Sequence, residues 1–155
     1  MITIYTDGAA KGNPGNGGYG TIMEYKGKTK ELSEGFRMTT NNRMELLAVI
    51  IGLESIKKEG WTVTVVSDSK YVVDAVEKGW LKSWVKKGFK GKKNQDLWER
   101  FLKSYYKHTV KFQWIKGHAG HPQNERCDQL AVMAAEQDLS KLSVDSVFEK
   151  SQSIG

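Results

Sequence analysis

The chain has 155 residues, a length that suits one ordinary domain with a single core. With 39% hydrophobic and 27% charged residues it reads as a globular protein and not a disordered tail, and no apolar run approaches the length needed to span a bilayer. The formal charge of +6, from 24 Lys+Arg against 18 Asp+Glu, favours a polyanionic partner, while a lone cysteine, Cys127, excludes an internal disulfide and a thiolate metal cluster.

Residues 1–7 alternate apolar and polar, the pattern of a strand that ends at or near Asp7. They lack the basic head and long apolar stretch of a signal peptide, so the cytoplasm is the expected location. A glycine-rich loop is predicted over residues 8–18, carrying Asn13-Pro14-Gly15. Residues 20–25 and 30–36 read as two further strands joined by a turn at Lys26-Gly27-Lys28, and three strands with such short links form an antiparallel meander. Thr40-Asn41-Asn42 supplies capping residues ahead of a long helix over residues 42–58, with Glu45 in its first turn. The apolar residues of this helix form two overlapping stripes, so its buried face is wide.

Residues 61–66 form a β-branched strand ending at Ser67-Asp68. Helical segments are predicted over 69–77 and 80–87, then a basic loop over 88–93 and a helix over 95–107. Residues 110–115 alternate as a fifth strand, and a loop over 116–122 leads into a last helix over 124–137. Cys127 lies on the apolar face of that helix and reads as a buried structural thiol. The mostly polar tail from Leu139 is expected to pack loosely or fray. A three-strand meander followed by helix, strand, helices, strand and helix implies an α/β fold with a five-stranded mixed sheet flanked by helices, in one domain over 1–138 with a tail over 139–155.

Four acids occupy related positions. Asp7 and Asp68 each end a strand, and if those strands are neighbours their carboxylates meet at one sheet edge, where open α/β sheets favour ligand sites. Glu45 and Asp128 each lie in the first turn of a helix that follows a loop. Taken singly, each acid is accounted for by helix-dipole complementarity or turn chemistry. Brought together, four carboxylates repel one another unless cations neutralise them, and hard oxygen donors suit Mg²⁺ or Mn²⁺ and not zinc. Two divalent ions roughly 3.5–4 Å apart would activate a water and stabilise the departing oxygen of a phosphodiester. Further along, Trp80 and Trp84 stand four apart on a predicted helix. Core packing accounts for Trp80 about as well as exposure does, whereas Trp84 and Phe89 sit among lysines and read as a stacking, phosphate-binding surface. No acid interrupts the stretch from Trp80 to Lys93, which predicts sequence-independent, salt-sensitive binding.

Several blocks carry a resemblance: Tyr5-Thr6-Asp7-Gly8, Gly12-Asn13-Pro14-Gly15, Gly17-Gly18-Tyr19-Gly20, Thr40-Asn41-Asn42-Arg43-Met44-Glu45, Ser67-Asp68-Ser69-Lys70-Tyr71-Val72, Trp114 to His121 and Asn124-Glu125-Arg126-Cys127-Asp128. In that order, over residues 1 to about 138, the sequence resembles type 1 (bacterial-type) ribonuclease H. The resemblance implies a ribonuclease H-like fold and an endonuclease that hydrolyses the RNA strand of RNA–DNA hybrids by two-metal-ion catalysis, leaving 5′-phosphate and 3′-hydroxyl ends. It implies that Asp7, Glu45, Asp68 and Asp128 hold two Mg²⁺ ions with substrate, Mn²⁺ being able to substitute, and that Asp7 is the shared ligand. His118, on a loop flanked by glycines, matches the residue that assists proton transfer or product departure, while His121 reads as a bystander.

Asn13, Asn41 and Asn42 match the family's readers of RNA 2′-hydroxyls, and Thr40 and Arg43 stand near its DNA-phosphate pocket. Ser83 is expected at that pocket too, and residues 86–93 resemble a shortened basic protrusion that, with Trp84, brings Lys86, Lys87, Phe89 and Lys90 to the substrate. Ser83 and Lys70 depart from the asparagine and the glutamine or asparagine expected there. The implied partner is the hybrid and not a membrane; no obligate protein partner is evident, and a monomer is expected. Two alternatives stay open: a DNA-cutting nuclease of the same superfamily, and a non-catalytic module that binds hybrid or duplex RNA.

Overall fold

The computed structural model describes residues 1–117 and 119–154, with side chains to residue 152. Strands β1 (Ile2–Lys11), β2 (Gly15–Tyr25) and β3 (Lys28–Thr39) form the expected antiparallel meander. Helix α1 (Asn41–Glu54) leads to β4 (Thr62–Ser67), then α2 (Lys70–Glu77), α3 (Trp80–Lys86) and α4 (Gln95–Tyr105) precede β5 (Thr109–Trp114). Helix α5 (Pro122–Ala135), a 3-10 turn (Leu139–Lys141) and α6 (Ser146–Ile154) complete the chain. The sheet order is β3-β2-β1-β4-β5, with β4 parallel to both β1 and β5. Among the described residues no helix is long and apolar enough to cross a membrane.

The strand period of two sorts β2 between two helical layers. Thr21 is fully buried and its hydroxyl donates to the Ala48 carbonyl of α1 at 2.7 Å, whereas its neighbour Ile22 packs with Cys127 and Leu130 of α5. Helices α1 and α5 therefore cover opposite faces. The larger core lies on the α1 side, where Ile4, Met44, Leu46, Ile50, Val63, Val65, Trp98 and Phe101 are fully enclosed. The β2–β3 turn at Lys26-Gly27 has φ of 49° and 78°, the paired left-handed geometry that matches hairpin twist.

The expected glycine-rich loop over residues 8–18 is mostly strand, with β1 running to Lys11 and β2 beginning at Gly15. Turn geometry accounts for Gly12, with φ 96°, and for Gly15 beside it, but close packing explains the glycines within the strands. A Cβ on Gly18, Gly20 or Gly35 would collide with the backbone of α5, and one on Gly8 with the backbone of Glu45 in α1. The helices are thereby drawn tightly onto both faces of the meander.

The tail is not loose. Ser143 pairs with β3, its N–H donating to Gly35 O at 2.8 Å and its carbonyl accepting from Arg37 N at 3.0 Å. Leu142 and Asp145 are buried, and Arg37 grips Glu149 of α6 through two guanidinium nitrogens. Polar composition concealed these anchors because each partner lies about a hundred residues away in sequence.

Candidate functional site

Strand β1 pairs with β4 only as far as Tyr5 and Val66, and past that point the two chains separate. Asp7 stands in the middle of β1, beyond the parting, and Asp68 follows the last residue of β4. Gly8 lets α1 approach closely enough for Glu45 to reach over the strand. The Gly8 N–H donates to Asp7 Oδ1 at 2.9 Å and, in a short contact, to Glu45 Oε1. One carboxylate oxygen from each of Asp7, Glu45 and Asp68 lies within 4.8 Å of the others. Asp128 lines the same pocket as Asp7 and Asp68, and its charge bears on Asp7.

Neither Glu45 nor Asp128 is in a first turn. Helix α1 begins at Asn41 and α5 at Pro122, so both acids fall in second turns, where the helix dipole no longer accounts for them. Burial is the larger force. Desolvation raises the Asp7 carboxyl to about 7, the charges of Asp68 and Asp128 adding to it against a lowering hydrogen bond with Glu45. Glu45 is 6% exposed, and burial followed by the Asp7 charge pushes its pKa well up. Several uncompensated carboxylates so placed demand a cation, and an all-oxygen donor set fits a hard divalent ion. Cys127 supplies no ligand. Its buried thiol donates to Tyr5 O at 3.2 Å and its pKa is raised by burial, as a structural thiol requires.

The loop after β5 closes one side of the pocket. A Cβ on Gly117 would lie 2.8 Å from Asp68 Oδ2, so the chain passes directly against that carboxylate. His118 comes next and lies outside the described residues. His121, expected to be a bystander, lines the exposed rim. Asn124 was missed as a site residue. It lines the pocket with both amide atoms buried and without a partner among the described residues. Its signal was present, since Asn124 and Asp128 are four apart and share a helix face. At the other rim the Trp114 indole donates to Asp68 O at 3.0 Å, and Lys70 holds its ammonium 5.0 Å from that ring's centroid.

A second opening, a groove of about 720 Å³, lies at the N-terminus of α1 and includes Asn13, Thr40, Asn42, Lys92, Lys93 and Asn94. Thr40 caps α1 by accepting from Arg43 N at 3.2 Å, and exposed Asn13 accepts from Asn41 N at 3.2 Å. Turn, cap and groove are thus one construction. Ser83 is half-buried on α3, and Lys86, Lys87 and Lys90 are exposed beyond it. Trp84 meets Trp98 edge-on at 5.9 Å between centroids while Lys92 stands over its ring at 5.3 Å, so it is part core and part surface.

One expectation for this surface is overturned. Phe89 is not a stacking platform but is buried, because the chain turns back at φ 59° with its N–H donating to Trp84 O at 2.8 Å. Trp80 is the exposed aromatic instead, at 45%, beneath the Lys78 ammonium. Arg43 lines the groove as expected, but its side chain is turned inward. It is 3% exposed and pairs with Asp96 and Asp145 at 2.7 Å each, so its charge is already matched. Asn94, which sequence reasoning overlooked, lines the groove in the left-handed conformation ahead of α4.

A family model described as RNase H matches residues 1–136. Ribonuclease H of Desulforamulus reducens is 62% identical over 148 residues, covering 92% of each chain. Ribonuclease H of Rippkaea orientalis is 52% identical over 153 residues, covering 96% of this chain and 92% of the relative. Among solved structures, LC9-RNase H1, a type 1 RNase H with the type 2 active-site motif, superposes with a TM-score of 0.78 at 34% identity, covering 96% of this chain and 79% of its own. LC11-RNase H1 in complex with an RNA/DNA hybrid gives a TM-score of 0.65 at 30% identity, covering 88% and 97%.

Proposed function

The chain belongs to the RNase H family, and from that premise we infer that it is an endonuclease hydrolysing the RNA strand of RNA–DNA hybrids to 5′-phosphate and 3′-hydroxyl ends. The observation that carries this reading is the convergence of Asp7, Glu45 and Asp68 where β1 and β4 part, with Asp128 on the same pocket. These four acids hold divalent cations, two Mg²⁺ ions with substrate and Mn²⁺ as a replacement. When bound, the ions offset the carboxylate charge, activate water and stabilise the departing oxygen.

The protein's own groups prepare that chemistry. The Gly8 N–H donates to both Asp7 and Glu45 and so fixes their orientation, and Asp7 would be the acid shared between the ions, as the resemblance implies. Trp114 holds the backbone at Asp68, and Lys70 beside it offers positive charge to a phosphate at the rim. Gly117, lacking a side chain, lets the loop pass close against Asp68, and His118, the next residue, assists proton transfer or product departure. Asn13, Asn41 and Asn42 read RNA 2′-hydroxyls across the wide minor groove. Thr40 and Asn94, with the exposed Lys92 and Lys93, take the DNA strand's phosphates, while Lys86, Lys87, Lys90, Ser83 and the open part of Trp84 extend the track. The catalytic machinery lies within residues 1–138 and works as a monomer in the cytoplasm.

A labelled hybrid beside both pure duplexes, with Mg²⁺, Mn²⁺ or chelator, tests this. Cleavage confined to the hybrid's RNA and stopped by chelator is expected. Preferential cutting of duplex DNA would favour a DNA-cutting nuclease of the superfamily, and tight binding without cleavage a non-catalytic module.

A further inference from the structure

Arg43, Asp96 and Asp145 meet beneath the groove, and every guanidinium N–H is used. Nε donates to Asp145 Oδ2 at 2.7 Å and Nη2 to Asp145 Oδ1 at 2.9 Å. Nη2 also reaches Asp96 Oδ2 at 2.7 Å, and Nη1 reaches Asp96 Oδ1 at 2.9 Å. The remaining Nη1 proton goes to Asn94 Oδ1 at 3.3 Å. On its other side the Asn94 amide donates to Tyr71 Oη at 3.0 Å, and that hydroxyl accepts from the Trp98 indole at 2.9 Å. The Asn94 amide is therefore held at both ends, which leaves its second N–H uncommitted among the described residues beside Thr40 and Lys93.

Asp145 comes from the C-terminal segment. It is 9% exposed, accepts a further hydrogen bond from Thr39 Oγ1 at 2.7 Å, and its carbonyl accepts from Glu149 N at 2.8 Å as α6 begins. One residue thus ties the end of β3, the Arg43 fork and the start of α6 together, through its carboxylate for the first two and its carbonyl for the third. Phe148 of α6 covers the same guanidinium, 5.9 Å from its ring centroid. We propose that Asp145 is a positioning residue for substrate: by fixing Arg43 it sets the orientation of the Asn94 amide, so the segment after residue 138 tunes how tightly the hybrid is held. This rests on the hybrid-cleavage reading of the groove. Without Asp145 the fork keeps only Asp96 as an anionic partner, and its rotation releases the amide oxygen that it now restrains.

The experiment compares the intact chain with Asp145→Asn, which keeps the shape, and Leu142→Ala, which empties a buried tail position without touching the network. For each, KM and kcat on a hybrid are measured well below the melting temperature, and the Asn94 side-chain amide is followed by NMR. Asp145→Asn is expected to raise KM roughly fivefold, the worth of about one hydrogen bond, with kcat within about twofold and the Asn94 signals shifted. Leu142→Ala should lower the melting temperature and leave KM and those signals alone. An unchanged KM in Asp145→Asn, or an equal rise in Leu142→Ala, overturns the proposal. If the intact chain cleaves no hybrid, the functional reading fails instead, and unmoved Asn94 signals in Asp145→Asn would overturn the coupling independently.

Discussion

Two buried charge clusters flank helix α1, two residues apart in sequence and opposite in design. At Arg43 a guanidinium spends all five donors on two carboxylates and one amide, so the protein itself completes the cluster. At Glu45 the neighbours are Asp7 and Asp68, and among the described residues no cationic side chain pairs with them; the Gly8 N–H is shared between two of the acids. Burying a charge costs free energy unless it is matched, so the first cluster is a clasp and the second a demand for an external cation. A fold that fills one such cluster and leaves the other open has separated support from chemistry within one helical turn.

The sharpest way to break this contrast is at the open cluster. Asp7→Asn removes one of its carboxylates, and cleavage should fall by about a thousandfold or more while hybrid binding largely persists. The same change should raise the melting temperature in chelator, because it relieves uncompensated repulsion. Single-turnover rates and a thermal melt decide both, and turnover near the parent's rate would end the assignment. At the closed cluster the sign reverses. Arg43→Ala strands two carboxylates, one of them buried, and should cost about 3–5 kcal/mol of stability by denaturant unfolding. A loss under about 1 kcal/mol would mean that the cluster is not the clasp described here. A smaller effect is expected at the surface track. Neutralising Lys86, Lys87, Lys90, Lys92 and Lys93 together should raise KM about tenfold at moderate salt and flatten its salt dependence, with kcat little changed. An unaltered KM would remove the lysines from the substrate path.

How legible these features were in the sequence depends on the range of the interaction behind each. The strands, the Thr40 cap and the Lys26-Gly27 turn rest on local rules and were readable to within a few residues. Gly8 and Gly18 were misread as part of a loop, because what excludes their side chains is a distant helix backbone, α1 for Gly8 and α5, more than a hundred residues later, for Gly18. Asp68 was placed at a strand end by strand logic, but Asp7, expected at a strand end too, stands in the middle of β1; the roles of Glu45 and Asp128 needed the resemblance, since their helices start earlier than capping residues suggested. Arg43 was placed near a phosphate pocket by the resemblance and does line the groove, but nothing in the sequence showed its charge to be matched already. Its partners Asp96 and Asp145 lie far along the chain, and no local pattern announces them. Phe89 was lost for a similar reason, since its backbone reversal hides an aromatic that composition placed among exposed lysines.

The two clusters should also part company in their response to pH, the smallest effect and the most direct comparison. Asp96 has its pKa lowered below the ordinary 3.8: burial raises it, but the Arg43 hydrogen bonds and charge outweigh that. A depressed carboxyl gives stability that is present above the unfolded pKa and is lost as pH falls through the folded one. Asp7 runs the other way, with a folded value of about 7 set chiefly by desolvation, and Glu45 is shifted in the same direction. A raised carboxyl binds protons more tightly when folded, so its penalty is absent below the unfolded pKa and grows as pH climbs toward 7. In chelator the melting temperature should therefore rise out of strong acid, peak at mildly acidic pH and decline toward neutrality. Saturating Mg²⁺ should remove the neutral-side decline and leave the acid-side loss in place, because the cation answers the open cluster and has nothing to answer at the closed one. A neutral-side slope that is identical with and without Mg²⁺ would show that the buried acids are already compensated within the protein, and the distinction between the clusters would fall.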